Sequence, residues 1–546
     1  MRRFLQILTS CSLLVVTCAA QEAAKKTAPP DLSLTAVGRQ HHAIQTNSKE
    51  AQDYFDQGIT LIYGFNHEEA VRAFQRAAEL DPASPMPLWG VAIAVGPNYN
   101  MGVDPGREKL AFETIQKAAK LAQNAPQIEK DYVAALATRY SGDANPDYKK
   151  LARDYAAAMR GLSQKYPDDL DAATIHAESL MNLNPWKLWT HDGMPGENTE
   201  EIVRVLESVL MRDPMHAGAN HYYIHAVEAS PNPQRALPSA ERLETLVPKA
   251  GHLVHMPSHI YARTGDFSQA VEQNAIAAKV DKVYAEEADR AGSMYDLMYH
   301  SHNEHFLASA ASMEGRYAEA KKAADALAAR LMPHAKMMPM LDGFLMTPLW
   351  VDARFSKWDA ILARPEPAAE LAETHLMWRY TRALAFAAQH DAAKTAAEIA
   401  LFEKEEAAIP ADRPIGLQPT SKAVHLVMKE ILAARLNETQ GKQEDAIKHW
   451  HAAVEAQDKL AYDEPQDWYY PVRESLGAAY MRLNKPYDAE MAFREDLRRN
   501  PRNPRSLFGL REALAAQKSN VDAAWVDRQF KEQWKRADVE LKLGDL

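Results

Sequence analysis

The chain has 546 residues, 47% of them hydrophobic and 25% charged, which is ample apolar material for a packed core and excludes a disordered chain. A formal net charge of −11 argues against a general nucleic-acid binder, because attraction to phosphate needs a positive surface. Only 22 glycines, set among many alanine-rich stretches, favour helix over strand.

The N-terminus reads as an address. Met1-Arg2-Arg3 is a short positive region, Phe4 to Ala19 is largely apolar, and Ala19-Ala20-Gln21 offers a small-residue cleavage point, the three-part pattern of an export signal over residues 1–20. Both cysteines, Cys11 and Cys18, lie inside it, so cleavage after Ala20 leaves a mature chain without disulfides and takes the charge to −13. The rival reading makes Cys18 a lipid anchor, but Thr17 is larger than the residue usual before a lipidated cysteine. The expected location is periplasmic or secreted. No later stretch is apolar for the ~20 residues that a membrane helix needs. Residues 21–48, with Lys25-Lys26 and Pro29-Pro30, read as a flexible tether, and His41-His42 as solvated side chains on it.

From Ala51 a helical repeat begins. Gly58, Ala70, Phe74, Ala77 and Pro82 fall at places 8, 20, 24, 27 and 32 of a 34-residue unit, with Tyr54 at place 4. Small residues at places 8 and 20 let two helices approach, the large residue at 24 fills the gap to the next unit, and proline at 32 ends the second helix. The same phase recurs in units starting at Ala217, Gly251, Ser301 and Tyr470, and more weakly at 85–118, 172–214, 372–405 and 427–460. The pattern is that of tetratricopeptide repeats (TPR). It predicts an all-α, TPR-like helical-hairpin solenoid, a right-handed superhelix with a free inner groove, divided into an N-terminal array over 49–340 and a C-terminal array over 341–546.

The segments FNHEEAVRAFQRAAELDP, GPNYN, NPWKLW, HYYIHAVEASPNP, GHLVHMPSHIYARTGDF and HNEHFLASAASMEGR further resemble a family of exported bacterial TPR proteins. That resemblance implies the architecture and export, and it implies no particular chemistry.

Nine of the 20 histidines fall between His216 and His305. His221 and His255 both take place 5 of their units, and His225 and His259 both take place 9. His252 and His302 share place 2, His305 and His176 take place 5, and Glu228 takes place 12. Places 2, 5, 9 and 12 of the first helix of each pair face the inner groove, and residues three or four apart share a helix face. Equivalent helices of neighbouring units lie ~8–10 Å apart, so their imidazoles converge. The expected metal ligands are His221, His225, His255 and His259, with His252, His302 and His305 in reserve; Glu228, Tyr222, Tyr261, Trp186 and Trp189 are expected to line the groove.

Neutral imidazole suits Zn, Cu, Fe and Ni, and a chain without cysteine fits a metal held by nitrogen. The methionines of Met332–Met340 lean the choice toward copper, with zinc beside it. Two other readings stand: a metal-free polar pocket in which the histidines and Tyr222, Tyr223 and Tyr261 hydrogen-bond a ligand, and plain helix packing. Pro257, between His255 and His259, either starts the helix or kinks it. Trp186 and Trp189, in an insertion, are lid candidates. His67 reads as a local cap, and Gly96–Asn100 either as a feed to the groove or as a plain turn.

No Walker loop, Cys-x-x-Cys-His, Gly-x-Ser-x-Gly or His-Glu-x-x-His motif is present. The leading function is therefore an exported solenoid whose groove binds a transition metal, for storage, delivery or catalysis. The other class is a metal-free scaffold that takes a peptide or protein partner in its groove.

Overall fold

The computed structural model describes residues 40–410, 413, 421–468 and 470–546. The proposed signal peptide, both cysteines and most of the tether lie outside these residues. Among the described residues the secondary structure is helical throughout, with two isolated bridges, Asn98–Met101 and Trp189–Pro195, in place of any strand. No helix among them is long and apolar enough to cross a membrane.

Sequential helices pair as antiparallel hairpins in TPR-like fashion, and the packing places do the work expected of them. Lys49–Tyr63 starts at Ser48, whose side chain accepts from the Ala51 amide, and His67–Leu80 starts at Asn66, whose side chain accepts from the Glu69 amide. Phe74 lies wedged between this hairpin and the following helix, Met86–Val95. A Cβ at Gly58 would sit 2.5 Å from the Phe74 ring, and one at Gly90 closer still. Phe493 meets Gly477 and Gly509 in the same manner hundreds of residues later.

One large apolar core runs from Ile44 to Val351 and a second from Met346 to Ala492, with a smaller one closing the C-terminal end. The inner-helix segments Leu170–Met181 and Ala217–Val227 are buried on every side. A helix of an open solenoid keeps one wet face, so something covers the concave side. Three elements do. The stretch 40–48, read from sequence as tether, folds onto the first units: His42 Nδ1 pairs with Asp171 Oδ2 at 2.9 Å, and His41 Nδ1 with Asp56 Oδ2 at 2.6 Å. His42 is thus packed rather than solvated. The insertion that carries Trp186 folds over the middle. The loop 460–468, from the C-terminal half, reaches across to the histidines. The expectation of a free inner groove is corrected accordingly: the chain's own loops cover much of the polar inner face.

The far end closes as well. The Asp538 amide donates to the Gly315 carbonyl at 3.1 Å, and its carboxylate accepts from the Tyr317 and Ala318 amides. In the C-terminal half a cavity of about 510 Å³ is lined by Arg354, Arg435, Trp450 and Trp468 and receives the last residues of the chain, with Arg435 donating to the Leu546 carbonyl at 3.2 Å.

Candidate metal centre

Four segments deliver the histidines. Ala217–Val227 carries His221 and His225. Gly251–His255 and Pro257–Thr264 carry His252, His255 and His259. They are joined by Met256, whose φ of −52° and ψ of −35° remain helical. Of the two outcomes expected at Pro257, the structure shows the interrupted helix, and His255 and His259 stay on one face. A π turn, Asp296–His300, leads into Ser301–Met313, which carries His302 and His305. Such turns recur at functional sites because the extra residue re-aims the side chains that follow.

The histidines close into two triads. His221, His225 and His252 each offer a ring nitrogen within 4.8 Å of the others, and so do His255, His259 and His302. The four first-choice ligands therefore do not meet on one point. Two of them sit in each triad, and the reserves His252 and His302 complete the sets. The reason is one of stacking: a place-2 residue on the next hairpin lies nearer to a place-5 and place-9 pair than the equivalent pair does. His305 belongs to neither triad. Its ring packs edge-on against Phe344, 5.5 Å between centroids.

Hydrogen bonds orient the rings. His221 donates from Nδ1 to the Tyr63 carbonyl at 2.5 Å, and His225 from Nδ1 to Glu228 Oε1 at 2.7 Å. His255 donates from Nδ1 to Asn274 Oδ1 at 2.6 Å, and the Asn274 amide is held in that sense by its own bond to the Ala270 carbonyl. His259 donates from Nδ1 to Glu228 Oε2 at 2.5 Å, with Glu464 Oε2 at 3.0 Å. With Nδ1 as donor, a neutral ring turns a bare Nε2 lone pair inward, which is how metal-binding imidazoles are held. Nε2 of His221, Nε2 of His225 and both ring nitrogens of His252 are buried without a hydrogen-bond partner. An unmet buried polar atom costs about 1–3 kcal/mol, so four in one spot call for a ligand.

The second triad gives the same message by proximity. Nε2 of His255 and Nε2 of His259 face each other at 2.6 Å, and His302 Nε2 lies 3.4 Å from His259 Nε2. At that distance one of the two nitrogens carries a proton and donates it to the other, and a metal ion bound here would take that proton's place. A tetrahedral ion with bonds of about 2.0–2.1 Å needs its nitrogens roughly 3.3 Å apart, which the second distance meets and the first reaches by a small opening of the pair.

The electrostatics fit neutral ligands. Burial, reinforced by neighbouring imidazoles, holds His221, His252 and His255 well below the usual histidine range. It lowers His225 to about 4 and His302 to about 3. His259 is the exception. Burial disfavours its charge, but the Glu464 and Glu228 carboxylates raise it to about 10. Against the cost of burial, Glu228 is held below its ordinary range by His259. Burial and the nearby charge of Glu228 push Glu464 up.

Several contributors escaped the sequence reading. Phe65, in the left-handed region at φ 57°, packs its ring on His221, His225 and His252, with the His221 centroid 4.5 Å away. That backbone costs about 1–2 kcal/mol, which the buried ring contacts offset. Tyr462 donates to Glu228 Oε2 at 3.0 Å from the covering loop. Glu464 and Tyr462 stand far along the chain in no repeat position, and nothing in the local pattern marks them.

Beside the triads lies a cavity of about 270 Å³. His225, His252 and His302 form part of its wall, with Trp186, Met298, Tyr299, Met340, Phe344, Trp350 and the acidic loop residues Asp463, Glu464 and Asp467. Trp186 stacks on Tyr99 with centroids 5.5 Å apart and roofs the cavity, whereas Trp189 is tied to the Ala226 carbonyl at 2.7 Å and does not line it. Tyr222 packs against Tyr63 and Phe65, and Tyr261 donates to Glu244. Neither is on the cavity wall, which corrects the expected lining. Of the methionine run, Met340 reaches the cavity while Met337 is 86% exposed. His176 stands apart, beside Glu201 at 3.6 Å. His67 caps locally, through Phe65 O at 3.1 Å.

Neither a family model nor a curated protein matches this sequence. Among solved structures the chain has a distant likeness to helical-repeat proteins. A monomeric mutant of IFIT1 with m7Gppp-AAAA is 12% identical, with 89% of this chain and 96% of that one covered and a TM-score of 0.35. The human IFIT1 dimer with m7Gppp-AAAA is 13% identical, with 90% and 91% covered and a TM-score of 0.32. Yeast Tom70 is 13% identical, with 89% and 92% covered and a TM-score of 0.28.

Proposed function

We propose that this protein is an exported, right-handed TPR-like superhelix that binds a transition metal, zinc or copper, in its buried histidine cluster. The supporting observation is the set of inward ring nitrogens without partners on His221, His225 and His252, with Nδ1 of the first two held by a carbonyl and a carboxylate. Helix packing alone does not require six imidazoles, five of them buried, turned toward one another, because each unpartnered nitrogen costs stability. The adjoining cavity favours chemistry on, or sensing of, a small molecule over simple storage, since a store needs no second chamber. A bound ion of this kind supplies Lewis acidity, and copper adds redox chemistry. Around it the residues present hold the ligands, exclude water through Phe65, Trp186 and the 460–468 loop, and carry negative charge on Glu228. Export rests on the N-terminal pattern and the absence of cysteine beyond it.

The test is elemental analysis of protein purified without a histidine tag. At least one equivalent of zinc or copper per chain, lost in the His221→Ala/His225→Ala/His255→Ala/His259→Ala variant, is the expected result. Metal-free wild-type protein that takes up none on addition of either ion overturns the reading. The scaffold alternative has less support at the histidines, where the inner face is covered by the chain's own residues.

A further inference from the structure

We infer that the cluster is built for two metal ions, one on each triad, with Glu228 as the clamp common to both and with both ions facing one cavity. This rests on the metal-binding reading above and goes beyond it in number, placement and the molecule served.

The ligand atoms divide by themselves. Nε2 of His221, Nε2 of His225 and a nitrogen of His252 gather on one side, and Nε2 of His255, His259 and His302 on the other. Three imidazoles with a place left for an exogenous ligand complete the coordination of a zinc or copper ion. Six exceed what a single ion of that class accepts from bulky rings. A third grouping, His225, Glu228, His259 and Glu464, also lies within 4.8 Å, but its imidazoles meet the carboxylates through Nδ1. Those nitrogens are donors, so this grouping orients ligands rather than holding an ion.

Glu228 joins the two sets. Its Oε1 takes the proton of His225, from the first triad, and its Oε2 that of His259, from the second. A carboxylate bridging one ligand of each triad fixes their spacing, and the centroids of these two rings lie 5.5 Å apart. The triads touch again through His252 and His255, 5.7 Å between centroids.

Charge provides an independent argument. Two divalent ions side by side need local negative charge. Glu228, buried beside the rings, is joined by Asp463, Glu464 and Asp467 from the covering loop, while no lysine or arginine lines the cavity. These carboxyls stand beside the imidazoles, three of them in a wall that is otherwise mostly methionine and aromatic side chains, where bound cations would draw off their protons.

Because His225 and His252 of one triad and His302 of the other share that wall, the open position of each ion is reached from the same chamber. The ligand class follows: a small, uncharged, mainly apolar molecule with one oxygen or nitrogen donor. Phenol is a suitable probe.

The experiment is native mass spectrometry and Cu²⁺ electron paramagnetic resonance on the mature chain titrated with Cu²⁺ alone, repeated with Zn²⁺ for the mass count. Two ions per chain and a dipole-coupled copper spectrum with a half-field signal are expected. His252→Asn and His302→Asn, each close in shape to histidine, should leave one tight ion and an uncoupled spectrum. Phenol should shift the spectrum of the two-copper form in wild type, and a Met298→Trp variant that fills the cavity should abolish that shift with the count still at two. One ion in wild type, or two ions without coupling, overturns this inference and leaves the metal-binding reading standing. No ion overturns both. No phenol shift overturns the shared chamber. The wild-type count decides the matter even where a variant fails to fold.

Discussion

At the scale of single residues, the site is a problem of protons. Five of the six imidazoles remain neutral because burial and mutual repulsion oppose their charge, and neutrality is what a ligand requires; the sixth, His259, is raised by Glu464 and Glu228 and gives up its second proton when it binds. Glu228 turns two of those rings, so Glu228→Gln should weaken metal binding by about 10–100-fold with the ligands intact, measured by competition against a chelator of known affinity. A second carboxylate–histidine contact acts on stability. His42 is buried, which opposes its charge, yet Asp171, with help from Asp169 and Asp56, raises it above the usual histidine range. A raised folded-state pKa contributes stability that is complete below the unfolded value and is lost as pH rises through the folded one. Against His42→Gln, the wild-type melting temperature should therefore hold its largest advantage in mildly acid solution and lose it in alkaline solution, as thermal unfolding across pH would show. Sequence alone placed His42 on a solvated tether, since nothing local to residues 40–48 announces Asp171 as a partner.

At the scale of elements, the repeat pattern was readable because it is dictated by contact between neighbours in the chain. Gly58, Ala70 and Phe74 recur at set places since the Phe74 ring occupies the space a side chain at 58 would need. Gly58→Ala should cost about 1–3 kcal/mol through overpacking, and Gly477→Ala a similar amount against Phe493, read as lower midpoints in urea unfolding. The histidine register was readable for the same reason, as stacked hairpins bring equal places together. What register could not settle was the grouping. The helix is interrupted at Met256 and a π turn precedes Ser301, and in the stack His252 joins His221 and His225 while His302 joins His255 and His259. Pro257 marked the first irregularity in the sequence. The second has no comparable mark.

At the scale of the whole molecule, the chain is an array that closes on itself. The loop 460–468 crosses from the C-terminal half to place Tyr462 and Glu464 against Glu228 and His259. Replacing Tyr462-Asp463-Glu464 with Gly-Ser-Gly should leave the helices intact by circular dichroism. It should also speed chelator stripping of a bound ion by at least tenfold, since the loop both covers the centre and supplies its charge. An unchanged stripping rate would show that the loop is incidental to the site.

The amino-acid order by itself determined the all-helical repeat, its phase and the clustering of imidazoles on inner faces, because each depends on residues a helical turn or one repeat apart. Tertiary structure alone decided that the groove is covered, that seven candidate ligands resolve into two triads and an outlier, and that carboxylates from the far half complete the centre. Those outcomes arise where distant segments meet, and the free energy of that meeting is spread over cores and loops that leave no periodic trace in the chain.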